Sequence, residues 1–277
     1  MERTLGELRG NLKISDPIVF RVIIHCTVQM KLMTTHFPPW THLRSLRKLK
    51  KRLPNMIRIK LYSKATTDGV YSRRAWLLLG GIPRFIIWTF RYPDELKRLI
   101  ERIADIKVTL TEILIDEIGV DLINYGDDWG MEDRLILSPS LWRTFIKPYQ
   151  ARLYEVAKKR GVLIFQHSDG KVEDLIPDLI EIGVDILNIQ RECNDWPRII
   201  EEYCDKVTMW GGVSTRTLDI GDPEDIVKEV EDCSRWGRFG GVIMAPGHSL
   251  KYPKEKVKIM RKAWIDNGAY KVRPLVN

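Results

Sequence analysis

Two observations predict an α/β fold of the TIM-type (β/α)8 barrel class, irregular or incomplete at its N-terminus. The stretch Gly119-Val120-Asp121-Leu122-Ile123-Asn124-Tyr125-Gly126-Asp127-Asp128-Trp129-Gly130 is echoed at Gly183-Val184-Asp185-Ile186-Leu187-Asn188-Ile189-Gln190, so one strand signature occurs twice. Each copy follows an amphipathic helical pattern, enters through a glycine suited to a helix C-terminus, and runs through apolar residues to a polar tip. The same rhythm recurs along the chain at spacings that suit right-handed βα units. In a parallel barrel the residues just past the strand ends line the substrate face, which makes Asp127, Asp128 and Gln190 candidates from position alone.

The elements follow in order. Ile18-Val19-Phe20-Arg21-Val22-Ile23-Ile24 is an apolar run of strand length, and Phe37-Pro38-Pro39-Trp40 is a loop. Leu43, Leu46, Leu49 and Leu53 recur at helical spacing and predict a helix over 41–53, whose lysines and arginines flank the apolar stripe and face water. A strand over 56–62 and a helix over 72–79 come next, the helix closed by Gly80-Gly81. Pro93-Asp94-Glu95 opens a long helix that runs to the Gly119 break, and Ser138-Pro139 reads as the N-cap and first residue of a helix to about residue 159. Strands at 162–167, 184–190, 207–210 and 242–245 alternate with helices ending near residues 181, 203, 236 and 267. From residue 56 onward this makes six strands. A closed barrel needs eight, and the 18–24 run is the single candidate for the rest. The organisation expected is one domain overall, with an irregular basic segment over 1–55 and a barrel over 56–277.

Composition limits the functional classes. Hydrophobic residues at 44% and charged residues at 30% suit a chain with a buried core, and runs such as Phe85-Ile86-Ile87-Trp88 are too short to span a bilayer. No membrane partner, no secretory signal and a cytoplasmic location are expected. Cys26, Cys193, Cys204 and Cys233 lack the close pairing of a zinc ribbon or disulfide framework, so reduced thiols are expected. The net charge of +8 is uneven: residues 1–100 carry 20 Lys or Arg against 6 acidic residues, and the remainder 25 against 31. Such a basic third can steer a polyanion, but a solvated helix over 41–53 accounts for much of it, and no nucleic-acid partner is expected.

Several motifs, in order, resemble the uroporphyrinogen decarboxylase superfamily, which takes in that decarboxylase and the corrinoid-dependent methyltransferases. They are Gly126-Asp127-Asp128-Trp129-Gly130, Leu137-Ser138-Pro139, Lys147-Pro148-Tyr149, His167-Ser168-Asp169-Gly170, Gly183-Val184-Asp185 with Asn188 and Gln190, Trp210-Gly211-Gly212-Val213, Gly240-Gly241, Pro246-Gly247-His248 and Pro253. The resemblance covers roughly three quarters of the chain, from about Gly69 onward. It implies a barrel whose cleft takes a tetrapyrrole or a corrinoid, the latter on a corrinoid protein in some members.

The superfamily divides chemically. The decarboxylase branch implies a site histidine at His248 and no cofactor, but its Arg-rich substrate loop with an adjacent aspartate has no counterpart in residues 1–55. The methyltransferase branch implies zinc on a His-x-Cys pair and a later Cys. Here the pair is His167-x-Asp169 and the third position falls near His248. Imidazole and carboxylate both ligate zinc, and three protein ligands leave one position open for substrate. The alternative for Asp169 is a helix cap in a simple turn. Cys193, in the loop after the second echo, is an outside candidate for a thiolate ligand. Asp127, Asp128 and His248 are the catalytic candidates; the two aspartates are adjacent, so in an extended segment at most one faces the cleft. Gln190, Trp129 and Trp210 are the substrate-binding candidates, the tryptophans as a floor for a flat macrocycle.

The leading expectation is methyl transfer from a corrinoid, with methylcobamide as co-substrate, to a thiol-type acceptor at a zinc-assisted site. Decarboxylation of a tetrapyrrole without cofactor is the alternative, and a non-catalytic binding protein is the third. The metal expectation requires His167, Asp169 and His248 to converge: with bonds of about 2.1 Å, side chains more than roughly 12 Å apart cannot share an ion.

Overall fold

The computed structural model describes residues 64–67 and 72–267, apart from 239 and 249. The elements expected over 18–24, 41–53 and 56–62, and the segment 1–55, lie outside the described residues. Six strands are described: β1 (Lys64–Thr67), β2 (Leu122–Gly126), β3 (Leu163–Ser168), β4 (Ile186–Ile189), β5 (Thr208–Val213) and β6 (Val242–Pro246). They pair in sequence order, every pair parallel, as a single sheet. Neighbours in sequence are therefore neighbours in space, which is the winding of a TIM-type barrel.

Ten α-helices fill the connections: α1 (Ser72–Leu78), α2 (Ile82–Arg91), α3 (Pro93–Ile113), α4 (Pro139–Phe145), α5 (Lys147–Lys158), α6 (Ile176–Glu181), α7 (Trp196–Tyr203), α8 (Thr215–Ile220), α9 (Pro223–Trp236) and α10 (Lys254–Asn267). Their starts are chemically marked. Pro93 opens α3, the Ser138 hydroxyl accepts from the Leu141 N–H at the start of α4, and Asp222 and Asp225 form a capping box on α9. The single helix expected from residue 139 to 159 is two, broken at Ile146. Pro148 lacks an N–H and its ring crowds the carbonyl four residues back, so it fits the first turn of a new helix better than the middle of an old one. The sequence also hid α2 and α8. No helix among the described residues is long and apolar enough to cross a membrane.

The sheet's two faces differ. Ile123, Tyr125, Ile164, Gln166, Leu187, Ile189 and Met209 point outward under the helices and are fully buried. On the alternate face, which points to the barrel interior, Asn124, Ile186, Trp210 and Ile243 are half-buried while Phe165 and Asn188 are buried. The outer face carries a polar network: Gln150 on α5 donates to Tyr154 Oη and to Gln166 Oε1, Tyr154 also donates to Gln166, and Gln166 Nε2 donates to the His167 carbonyl at 2.6 Å. The backbone of His167 is thus anchored from behind before its side chain does anything.

Outside the barrel, Asp178 is buried yet accepts from Arg143 Nε and Nη2 and from Lys147 Nζ at 2.7 Å. Burial alone would raise its pKa, but these two cations hold the carboxyl below the usual carboxylate range. A carboxyl depressed on folding stabilises the protein above its unfolded pKa, and that stabilisation disappears as pH falls through the folded value. Asp178→Asn is therefore expected to lower stability by about 1–3 kcal/mol at neutral pH, with the deficit vanishing in strong acid. Melting temperatures of both proteins against pH check this; a deficit independent of pH contradicts it.

Candidate metal centre

The site lies past the C-terminal ends of β2, β3 and β6. Strand pairing sets Gly126 beside His167, His167 beside Asn188, Asn188 beside Trp210 and Trp210 beside Ile243, one row across five strands. His167 is the β3 member of this row, Asp169 follows just past the strand end, and His248 arrives on the loop after β6. The imidazole rings of His167 and His248 stand edge to face with centroids 5.3 Å apart. Asp169 lies between them: its Oδ1 is 3.3 Å from His167 Nε2 and its Oδ2 is 3.8 Å from His248 Nε2. One ligand atom from each residue falls within 4.8 Å of the others. Tetrahedral zinc needs ligand atoms about 3.4 Å apart, so a slight contraction suffices.

The turn bearing Asp169 is held by backbone contact. Gly130 and Gly170 meet so closely that a Cβ on Gly170, whose φ is +74°, would lie 2.5 Å from the carbonyl oxygens of Gly130 and Met131. The Lys171 N–H donates to Met131 O at 2.7 Å across the same junction. Gln190 Oε1 accepts from the Gly170 N–H at 2.8 Å, and Asn194 Nδ2 donates to Gly170 O. Asp169 is consequently aimed at the two histidines and does not cap a helix; the next helical turn is a 3-10 turn at Glu173–Leu175.

The electrostatics match this placement. Burial pushes the His167 pKa down, but Asp169, Asn188 and Asp128 outweigh it and the net direction is up. Burial pushes Asp169 up, and His167, His248 and Arg73 bring it below the ordinary range. Asp169 Oδ1 is buried with no neighbour to bond except His167 Nε2 at 3.3 Å, and the Nδ1 of His248 is buried without a hydrogen-bond partner among the described residues. Buried polar atoms without partners are costly, and a carboxylate oxygen and an imidazole nitrogen are donor atoms that a divalent cation satisfies. The residues present therefore fit a metal of zinc's preferences.

The two aspartates divide as alternation requires. Asp127 is buried, its Oδ1 accepting from the Arg73 N–H and its Oδ2 from Trp129 Nε1. Asp128 is paired with Arg73 Nη1 at 3.3 Å on the side of the His167–Asp169 pair. Burial first, then the charges of Asp169 and Asp127, push its pKa up against the pull of Arg73 and His167. Of the two, Asp128 is the one whose charge is felt by His167.

Three expected site residues are placed otherwise. Trp129 is 2% exposed, with its indole on Asp127 and its ring edge-on to Trp142 at 5.3 Å, so it packs inside and offers no floor to a ligand. Gln190 spends its acceptor on the Gly170 turn and on the Cys193 thiol. Cys193 stands outside the His167, Asp169 and His248 group, and burial with Glu192, Glu132 and Asp169 nearby pushes its thiol pKa up, against thiolate formation. Trp210 remains half-buried, edge-on to Phe165 at 5.4 Å. Two participants escaped sequence reasoning. Arg73, on α1 shortly after β1, carries no motif or periodicity that singles it out. Asn188 had a signal: it occupies the slot that Asn124 fills in the first echo, and both slots face the barrel interior.

A parallel barrel arc with histidines and carboxylates gathered past its strand ends defines a TIM-type enzyme scaffold. A sequence model of the uroporphyrinogen decarboxylase (URO-D) family matches residues 77–265, and the chain belongs to that family. The uroporphyrinogen decarboxylase of Synechococcus sp. (strain CC9605) is 26% identical over 166 residues, covering 58% of this chain and 44% of that protein. The uroporphyrinogen decarboxylase of Thermodesulfovibrio yellowstonii is 32% identical over 116 residues, 41% of this chain and 30% of that one. The chain spans less than half the length of these curated relatives. Among solved structures, a methyltransferase from Methanosarcina mazei shares the fold, with a TM-score of 0.61 at 18% identity over 82% of this chain and 64% of that one.

Proposed function

We propose that this protein is a cytoplasmic, metal-assisted methyltransferase that moves a methyl group from a corrinoid to a thiol-type acceptor. The observation carrying this reading is the convergence of His167, Asp169 and His248, each with a ligand atom within 4.8 Å of the others. Zinc held there supplies a Lewis acid that keeps a thiol as thiolate at neutral pH. The chain's own residues do the rest: His167 and Asp169 aim their donor atoms at one point, Asp127 fixes the Arg73 backbone, and Arg73 and Asp128 border the cluster as an ion pair. The half-buried interior face, with Trp210 and Ile243, is the apolar wall against which a corrinoid or tetrapyrrole ring would rest.

A second reading is cofactor-free decarboxylation of a tetrapyrrole. It is favoured by the raised pKa of Asp128 beside His167, which suits a proton donor to a pyrrole carbon, and by the names of the curated relatives. Metal analysis of the purified protein, with visible spectra after adding methylcobalamin and a thiol, separates the two. Bound zinc and thiol-dependent demethylation support the first reading. Chelator-insensitive loss of carboxyl groups from uroporphyrinogen replaces it with the second, and inactivity toward both without bound metal leaves a non-catalytic binding protein.

A further inference from the structure

Asn188 joins the two histidines of the cluster. It is 7% exposed on β4, and all the polar atoms of its side chain are engaged. Its Nδ2 donates to Trp210 O at 2.8 Å and to Gly247 O at 3.3 Å, and its Oδ1 lies 2.7 Å from His167 Nδ1. A backbone carbonyl can only accept, so two of them facing one end of the amide identify that end as NH2. The other end is then the carbonyl oxygen, also an acceptor, and the atom it meets on His167 must carry a hydrogen. Gly247 immediately precedes His248, so the same amide holds the loop that delivers the second histidine.

We propose that Asn188 is a positioning residue that locks His167 in the Nδ1–H tautomer and turns its Nε2 lone pair toward Asp169 and His248. A neutral histidine left to solvent carries its proton mainly on Nε2, which would put a hydrogen where a ligand atom is needed. Only an amide meets both demands: aspartate at this position would set a carboxylate against two carbonyls, and leucine would offer Nδ1 nothing. Hydrogen bonding of the distal nitrogen is how a protein selects the nitrogen that binds metal. The bare Nε2 and its consequence for metal affinity rest on the metal reading above, because without an ion the Asp169 carboxylate 3.3 Å away would itself take a hydrogen from Nε2; the hydrogen on Nδ1 does not.

The test is the nitrogen chemical shifts of His167 in 15N-labelled protein, recorded where the ring is neutral and assigned by loss of the signals in His167→Gln. The wild type is expected to show a protonated Nδ1, with Nε2 bare once zinc is bound. Asn188→Asp, which keeps an acceptor at Nδ1, retains that pattern, whereas Asn188→Leu reverts to Nε2–H. Zinc affinity, measured by competition with a chromophoric chelator, is expected to fall about 10- to 100-fold in Asn188→Leu, and to fall in Asn188→Asp through the freed Gly247 carbonyl. A bare Nδ1 in the wild type overturns the proposal whether or not any variant folds, as does an unchanged tautomer in Asn188→Leu. Wild-type protein that binds no zinc defeats the metal reading while the shifts still decide the role of Asn188.

Discussion

Replacing His167 with alanine is expected to abolish both zinc binding and methyl transfer. Three donor residues from two strand ends hold the proposed ion, and removal of one leaves two ligands, fewer than a stable zinc site keeps. Asp169→Cys points the other way. It recreates the His-x-Cys pair that the family resemblance implies for methyltransferases, and a thiolate is a softer donor than a carboxylate, so zinc is retained or held more tightly. Metal content by elemental analysis and transfer rates before and after chelation check both variants. His248→Ala discriminates between the readings: in a cofactor-free decarboxylase it costs about 10²- to 10⁴-fold in turnover, the range for losing a proton-transfer group, and chelators have no effect. Full zinc content in His167→Ala would remove the basis for the methyltransferase reading.

The second large effect is expected at Gly170→Ala. The substitution forces a left-handed conformation on a residue with a Cβ and drives that Cβ to 2.5 Å from two carbonyl oxygens of the facing loop. The conformational cost of about 1–2 kcal/mol adds to overpacking against backbone, which cannot rotate away as a side chain can, at about 1–3 kcal/mol. Stability is thus expected to drop by roughly 2–5 kcal/mol. Relief of the clash separates the loops after β2 and β3 and swings Asp169 off the histidines, so zinc affinity falls together with stability. Denaturant unfolding and zinc titration measure the two effects. A Gly161→Ala control, also at positive φ but with open space around the new Cβ, should lose only the conformational part. Equal losses at the two positions would show that loop contact contributes nothing.

Some of this architecture is local and was legible. Strand cores at 122–126, 163–168 and 186–189, the Ser138 cap and the starts of α3 and α9 depend on alternation, on glycine breaks and on short-range hydrogen bonds, all written in consecutive residues. That Asp127 and Asp128 face opposite ways followed from the period of an extended chain. Helix α2 went unread although it is amphipathic, with Arg84 and Arg91 on one side; its apolar face is broad enough to leave Ile87 and Phe90 exposed while Phe85 is buried. Helix α8 has six residues, too few for a period to show.

Sequence by itself determined the order of strands β2 to β6, the parallel barrel class and the candidacy of His167, Asp169 and His248, because each follows from spacing or from a recognisable order of motifs. Only the tertiary structure decided that these three meet, that Trp129 is packing, that Cys193 stands apart, and that Asn188 bridges His167 to the His248 loop. Those outcomes hinge on the pairing of β3, β4 and β5 and on two loops meeting at Gly130 and Gly170. Asp169 and His248, 79 positions apart in the chain, come within 3.8 Å through the closing curvature of a sheet, a quantity that no window of sequence contains.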